Sequence, residues 1–439
     1  MKQLQSVLDG VRIGGFTRAV LSTSLALSML PGVKEGVRLT WFLAAFFVAI
    51  LTSETRGAAI DFEPNIPVVF VETPRPLQIG RVEKGSVRVV YPKGNEAHDI
   101  EKLAAEVKYR GAVSLSYEKK SMAFELDSEK ALAGMPERTH WILNAAFVDR
   151  SMMRHKLAYD LYAKMSEAGA PRLAAGSRFV EVFQNGDYRG AYLLTERVDR
   201  KLLKLRKFNK ADEQHACIYK VIEHTSVFDM NGHSNYEQHE PNPRTNSYWA
   251  PLDEINRFCH TASESVFWDV NTGIATRVDL AAAIDFHLHL LMVSNTDGPD
   301  KNFIVARDGV QKGKAPRFFF VPWDCDATFG RAWHGGRDGY QHWQSNHLFD
   351  RLLKDATYRK QFAARWRQLR QKQFSTAAIH TMIDENAKEL GVAAQRNAKR
   401  WGQSKRGDPP NFEQDISEMK DWVAKRVAWL DGRIEAMSR

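Results

Sequence analysis

The sequence predicts an α+β fold in two lobes, sheet first and helices later. Short β-branched or alternating runs, separated by Gly, Pro, Asn and Lys, fill residues 67–126 and recur at 179–195. Apolar residues repeat at helical spacing at Met153, Leu157, Leu161 and Met165, and densely over Val278–Val293. From Leu348 onward amphipathic helical runs continue to Trp422–Leu430, broken at Gly407-Asp-Pro-Pro410.

A chain of 439 residues with 44% apolar and 26% charged residues is that of a folded globular protein, which excludes disorder as the default. The net charge of +9 suits an acidic partner, but the basic residues are spread along the chain apart from the run Arg200–Lys207. With no zinc-finger or RNP-type signature, nucleic acid is not an expected partner. The three cysteines, Cys217, Cys259 and Cys325, show no C-x-x-C spacing, which argues against a structural zinc site or a disulfide framework; Cys325 reads as a small buried residue.

Residues 1–59 form a unit of their own. The apolar run Trp41–Leu51, approached by Lys34 and Arg38 and followed by Gly57-Ala58-Ala59, has the length and flanks of a secretory signal; retained, it is a membrane anchor and the chain's one link to a membrane. The body from residue 60 is expected to be exported. Residues 60–199 are expected to be the β lobe, with strands at 67–72, 86–91, 106–109, 112–117 and 121–126. A helix capped by Ser151 and stopped by Gly169 follows, then two strands, 179–183 and 191–195, joined across Asn185-Gly186, a strong hairpin signal. Residues 200–439 are the helical lobe, with a polar surface loop at 231–247 and a flexible Gly/Trp/His-rich loop at 333–339. His215, His224, His233, His239 and His260 lack ligand spacing, and His287 and His289, two apart on one helix, read as core or groove residues.

The stretch with the most chemistry runs from Asn295 to Gly330. Asp297, Asp300, Lys301 and Asn302 close one apolar segment, and Asp324 and Asp326 close another. Two oxygen-ligand clusters converging from separate segments suit a hard divalent cation and a phosphate group. Asp297 and Asn302 are five apart, like the Asp and Asn of the protein-kinase loop H-R-D-x-x-x-x-N. In that scheme Asp297 deprotonates an acceptor hydroxyl, Asn302 holds metal, Lys301 offsets charge on the transferred group, and Asp324, supported by Asp326, bridges phosphate through the metal. The same spacing also fits a structural turn or a calcium loop.

The chain resembles the spore coat protein H (CotH) kinase family of secreted, atypical protein-kinase-like enzymes. The matching pieces are Pro67–Thr73, Tyr109-Arg-Gly111 followed by Lys119-Lys-Ser121, Asp149–Arg154 with Leu157–Leu161, Asn185-Gly-x-x-x-Gly190-x-Tyr192-x-Leu194-x-Glu196, Asn295-x-Asp297 with Lys301-Asn302, Pro322-Trp-Asp-x-Asp326, and the Trp422–Leu430 helix. The resemblance implies a protein-kinase-like two-lobed fold, an N-terminal antiparallel β lobe and a mostly helical C-terminal lobe, with ATP and Mg2+ (or Mn2+) between them. It implies Asp297 as the catalytic aspartate and Asn302 and Asp324 as metal ligands. Glu196 would lie where the chain passes the adenine. Lys120, or Lys119 in its place, would contact phosphate from a sheet strand, and Arg154 would face the same phosphates. Two departures bear on how the phosphates are covered: Ala112-Val113 stand where the family commonly has Asn-Ser, and no G-x-G-x-x-G loop is present.

Taken singly, Arg110-Gly111, Glu196-Arg197 and Asp149-Arg150 read as a turn, a surface pair and a helix cap. The function implied is transfer of the γ-phosphate of ATP to Ser/Thr hydroxyls of an acceptor protein, a Ser-rich surface protein among the candidates, at a periplasmic, cell-surface or secreted location. The rivals are a catalytically silent fold-mate in coat or surface assembly, and a phosphotransferase with a glycan or small-molecule acceptor. N-terminal sequencing of protein from whole cells is expected to begin near Ala59 or Ile60; an intact Met1 would identify the segment as an anchor.

Overall fold

A computed structural model describes residues 60–208, 215–223, 227–229, 232–310, 316–402 and 411–438. The signal or anchor segment, His224 and the 407–410 break lie outside the described residues. Glu63–Arg439 form one compact unit.

Alternation of apolar residues builds seven strands: β1 (Val68–Glu72), β2 (Glu83–Val90), β3 (Ile100–Arg110), β4 (Ser121–Lys130), β5 (Arg138–Asn144), β6 (Ser177–Gln184) and β7 (Asp187–Glu196). They close into a barrel in the order β1-β2-β3-β4-β5-β7-β6. Val69, Val87, Val107, Phe124, Leu143, Val182 and Leu194 are among the side chains that fill it. The expectation of a wholly antiparallel sheet is corrected at one seam: β1 and β6 pair in parallel, from Val68 opposite Glu181 to Val71 opposite Gln184. That pairing removes the two open edges β1 and β6 would otherwise present. The Asn185-Gly186 turn has φ of 49° and 82°, and Gln184 pairs with Asp187, which is the two-residue hairpin its sequence demands.

Three local expectations fail for identifiable reasons. Residues 112–117 are not a strand but contain a 3-10 turn, Val113–Ser116, because β3 and β4 pair directly with Arg110 opposite Ser121 and the residues between serve as their connection. The first helix, α1 (Arg154–Ala163), is not capped by Ser151; the Asp149 carboxylate instead accepts the Ser151 N–H at 3.1 Å and the Arg154 N–H at 2.8 Å. The polar 231–247 stretch carries a strand, β9 (Tyr236–Glu240), on β8 (Cys217–Val221). Its polar inward residue is satisfied locally, since Gln238 Nε2 donates to the Pro241 and Asn246 carbonyls at 2.6 and 2.7 Å. Strand β5 has no counterpart in the sequence reading.

The C-terminal part is helical but includes a second sheet, β11-β10-β8-β9, with β10 at Phe303–Arg307 and β11 at Phe319–Pro322. Around it lie α2 (Ala250–Thr261), α3 (Glu264–Phe267), α4 (Leu280–Val293), α5 (His347–Leu352), α6 (Ala356–Arg370), α7 (Thr376–Trp401) and α8 (Phe412–Ser438). The protein is thus mixed α+β. Helix α4 is buried on nearly all sides, starts on the Asp279 side chain, which accepts the Ala282 N–H, and ends at Ser294 with φ 52°. Its last turn is held from α8, where buried Arg426 donates Nε to the Leu291 carbonyl at 2.8 Å and its Nη1 to the Tyr340 and His342 carbonyls at 2.7 Å. Helix α7 bends at Gly391, where Asn65 Nδ2 donates to the Glu389 and Leu390 carbonyls, and its second half lies along β7. The three cysteines are free and buried.

His287 and His289 are core residues, each with Nε2 against a main-chain carbonyl, of Gln344 and Ala158 respectively. Burial pushes each ring down to about 4. The unfolded chain, titrating near 6.5, therefore takes up these protons first. Stability is complete above about pH 6.5 and is lost as pH falls towards 4, by roughly 3 kcal/mol per ring. Denaturant unfolding between pH 7 and 4 is expected to show that slope, and His289→Gln is expected to reduce it by about half.

Candidate functional site

The site is assembled by one piece of register. β10 and β11 pair with Phe303 opposite Pro322, so Asn302 and the Trp323-Asp324 step leave the sheet at the same end. Asn302 and Asp324 both sit in the left-handed region, φ 58° and 53°, which Asn and Asp tolerate better than most residues.

On the α4 side the chain turns tightly: the Asp297 carbonyl accepts the Lys301 N–H at 2.8 Å. Gly298 is needed for close approach, because a Cβ there would lie 2.6 Å from Leu290 Cδ1. Asn346 Nδ2 fastens the turn through the Pro299 carbonyl at 2.7 Å. Buried Asn295 donates Nδ2 towards the Asp324 carbonyl at 3.5 Å, and its Oδ1 has no hydrogen-bond partner.

On the β11 side, α1 positions the acidic turn. The main-chain N–H of Asp324 donates to the Tyr159 hydroxyl oxygen at 3.1 Å, and that of Cys325 donates to His155 Nδ1 at 3.0 Å. His155 and Tyr159 are one helical turn apart and both buried. His155 Nδ1 accepts the Cys325 N–H, and its Nε2 lies 3.1 Å from Asn144 Nδ2 and 3.8 Å from Asp324 Oδ1. Burial lowers the His155 pKa against the pull of Asp324 and Asp149.

Among the described residues, one group of potential ligand atoms gathers within 4.8 Å: those of His155, Asp324 and Asp326. Burial, then Asp324, Asp149 and Asp297, push the Asp326 carboxyl well above the usual carboxylate range. Among these residues no Lys or Arg forms an ion pair with Asp324 or Asp326. Clustered carboxylates with no paired cation, beside a buried amide oxygen with no donor, fit a hard divalent cation, and His155 holds the turn between the two aspartates through the Cys325 N–H. Cys325, between the two aspartates, is held protonated by burial and by their charge.

The remaining expected residues lie elsewhere in the network. Lys119 is buried, donating Nζ to the Ala145 carbonyl at 2.8 Å, the Ala191 carbonyl and Asn397 Oδ1 at 3.0 Å. Burial, with Arg189 nearby, lowers its pKa well below the usual lysine value. Lys120 Nζ donates to the Tyr117 carbonyl at 2.6 Å. Arg154 is held by the Asp149 carboxylate, by Ser151 Oγ at 2.8 Å and by the Thr328 carbonyl at 2.9 Å, tying α1 to the turn after Asp326. Glu196 pairs not with Arg197 but with Arg138 at 2.8 Å, and accepts the Gly176 N–H at 2.9 Å. Burial raises the Glu196 pKa against Arg138. The structure brings Asp297, Asn302, Asp324 and Asp326 to one end of the β10–β11 hairpin, with Lys301 at its start. Sequence reasoning overlooked His155 and Tyr159, for which two polar aromatic residues at i and i+4 in an apolar helix were the available signal.

With this geometry in view, comparison with known proteins is informative. A family model described as CotH kinase protein matches residues 107–430, and the chain belongs to that family. It is 27% identical over 271 residues to the inner spore coat protein H of Bacillus subtilis (strain 168), an alignment spanning 60% of this chain and 69% of that protein.

Since the folded-state pKa of Asp326 lies above its unfolded value near 4, ionising it costs stability, and that cost grows as pH rises from about 4 through the folded value, by about 1.4 kcal/mol per pH unit crossed. In chelator at pH 7, Asp326→Asn is expected to raise the thermal midpoint. Added Mn2+ or Mg2+ should stabilise the wild type and leave the variant unmoved; equal stabilisation of both would remove Asp326 from the metal position.

Proposed function

We propose that the protein transfers the γ-phosphoryl group of ATP to a hydroxyl of an acceptor protein, working as a two-lobed kinase with the barrel as one lobe and the helical body as the other. The observation that carries this reading is the convergence of Asp297 and Asn302 with Asp324 and Asp326 at one end of the β10–β11 hairpin. Asp324 and Asp326, with Asn302, would hold Mg2+ or Mn2+, which when bound neutralises charge on the phosphates. Asp297 orients the acceptor hydroxyl and receives its proton as that oxygen bonds to the terminal phosphorus. The bond from phosphorus to the bridging oxygen breaks, and ADP leaves with that electron pair. His155 and Tyr159 keep the acidic turn in place. Glu196, locked to Arg138, braces the end of β7, where the nucleotide base would pass.

Membership of a family described as kinases supports the reading. The name of the Bacillus relative, a spore coat protein, supports an exported acceptor at a surface, and equally a second reading in which the fold serves coat assembly without catalysis. Among the described residues no helix is long and apolar enough to cross a membrane.

Incubation of the full chain with radiolabelled ATP, Mn2+ and a Ser-rich protein is expected to give incorporation into hydroxyl residues. Asp297→Ala should lower the rate by about 10²–10⁴-fold and Asp324→Ala should abolish it. Metal-dependent ATP binding without transfer would favour the assembly reading, and no nucleotide binding by calorimetry would sink the kinase.

A further inference from the structure

Three cations gather around Asp324, none of them in an ion pair among the described residues, with Glu237 of β9 standing opposite Lys220. Arg110 ends β3, and its guanidinium carbon lies 5.7 Å from the ring centre of Trp323, the residue before Asp324. Lys220 of β8 stands opposite Ile304 of β10, which stands opposite Val321 of β11. Paired residues in antiparallel strands share a face, so Lys220 stands on the same face as Ile304 and Val321, with Ile304 between them, and Val321 is two residues from Trp323. Lys301 precedes Asn302 in the turn into β10. Among the described residues none of the three side chains makes a hydrogen bond or an ion pair. They nevertheless influence one another: burial lowers the Lys220 pKa, Asp324 and Glu237 oppose this, and Arg110 and Lys301 add to it.

A lysine kept only for solubility extends into water, whereas Arg110 and Lys220 are both half-buried. Holding unpaired cations close together away from water is costly unless an anion joins them. The lysines and arginine that linear motifs point to have their donors engaged: Lys119, Lys120 and Arg154 bind main-chain carbonyls. We infer that Arg110 and Lys220, with Lys301 beside them, grip the phosphate chain of the nucleotide next to the Asp324 metal position. Arg110 supplies a planar fork that can take two phosphate oxygens at once, and Lys220 a point charge from the second sheet. The grip therefore spans the barrel and the second sheet, and phosphate binding would couple them.

This inference rests on the nucleotide reading above, and one experiment separates the two. The full chain with Mn2+ is titrated by calorimetry with ATP and, separately, with inorganic pyrophosphate. Arg110→Gln and Lys220→Gln are each expected to weaken both ligands by roughly tenfold or more, with Mn2+ affinity and thermal midpoint retained, and Arg110→Lys to recover part of the loss. Should Arg110→Gln fail to fold, Lys220→Gln, on a strand surface, decides the matter. Wild-type affinity for both ligands in the variants overturns the grip and leaves the nucleotide reading standing. Pyrophosphate binding that the variants lose, with no ATP binding by the wild type, overturns the nucleotide reading and keeps the grip. Binding of neither ligand by the wild type overturns both.

Discussion

The pairing of Phe303 with Pro322 is the constraint on which the site depends. A strand's side chains alternate, so a slip of one residue between β10 and β11 would turn Ile304 and Val321 out of the face they share and carry Asp324 away from Asn302. The packing around the hairpin makes that slip costly. Phe303 and Phe320 meet Phe286 of α4 at ring distances of 5.4 Å each, so the buried helix that delivers Asp297 also reads the register of the strands that deliver Asp324. Arg426 then fixes the C-terminal turn of α4, the end that leads to Asp297, by donating to main-chain carbonyls, a role in which its charge is dispersed over several dipoles.

Around that hairpin the charges are sorted. Arg154 and Asp149 form a closed buried pair that is spent on architecture. Arg331 and Asp415, and Arg172 and Arg365 with Asp285, do the same elsewhere in the helical part. Asp324 and Asp326 on one side, and Arg110, Lys220 and Lys301 on the other, are left without mutual ion pairs. Carboxylates and cations that could neutralise each other directly but are instead held apart leave room for a cation next to the first set and an anion next to the second. This segregation is a feature of the tertiary structure; the sequence contains the same residue types in both groups.

The sequence supported the order of elements well where one physical signal dominated. Asn185-Gly186 dictated its hairpin because few other residue pairs accept two positive φ values, and Val278–Val293 was legible as a helix because its apolar run is too long for a strand. Legibility failed where neighbours decided. Residues 112–117 alternate like a strand, yet the direct pairing of Arg110 with Ser121 leaves them no partner. Tyr236–Glu240 looks like a polar loop, yet Gln238 finds two carbonyls inside the fold. The acidic half of the site could be located from Asp297, Asn302, Asp324 and Asp326 because their clustering at the ends of apolar segments is a local property. The engagement of basic residues was not legible, since Lys119, Lys120 and Arg154, whose donors are taken by main-chain carbonyls, look as free in sequence as Arg110 and Lys220.

What the sequence alone determined is the inventory: an α+β chain, a family, and two acidic turns that follow buried segments. Local periodicity, turn chemistry and short motifs carry that information without reference to distant residues. Closure of the barrel through β1 and β6, the seating of His155 and Tyr159 under the Asp324 turn, and the separation of structural from unpaired cations were decided only by the tertiary structure. The first two depend on which polar groups come within hydrogen-bonding reach across more than a hundred residues, and no local pattern encodes that distance.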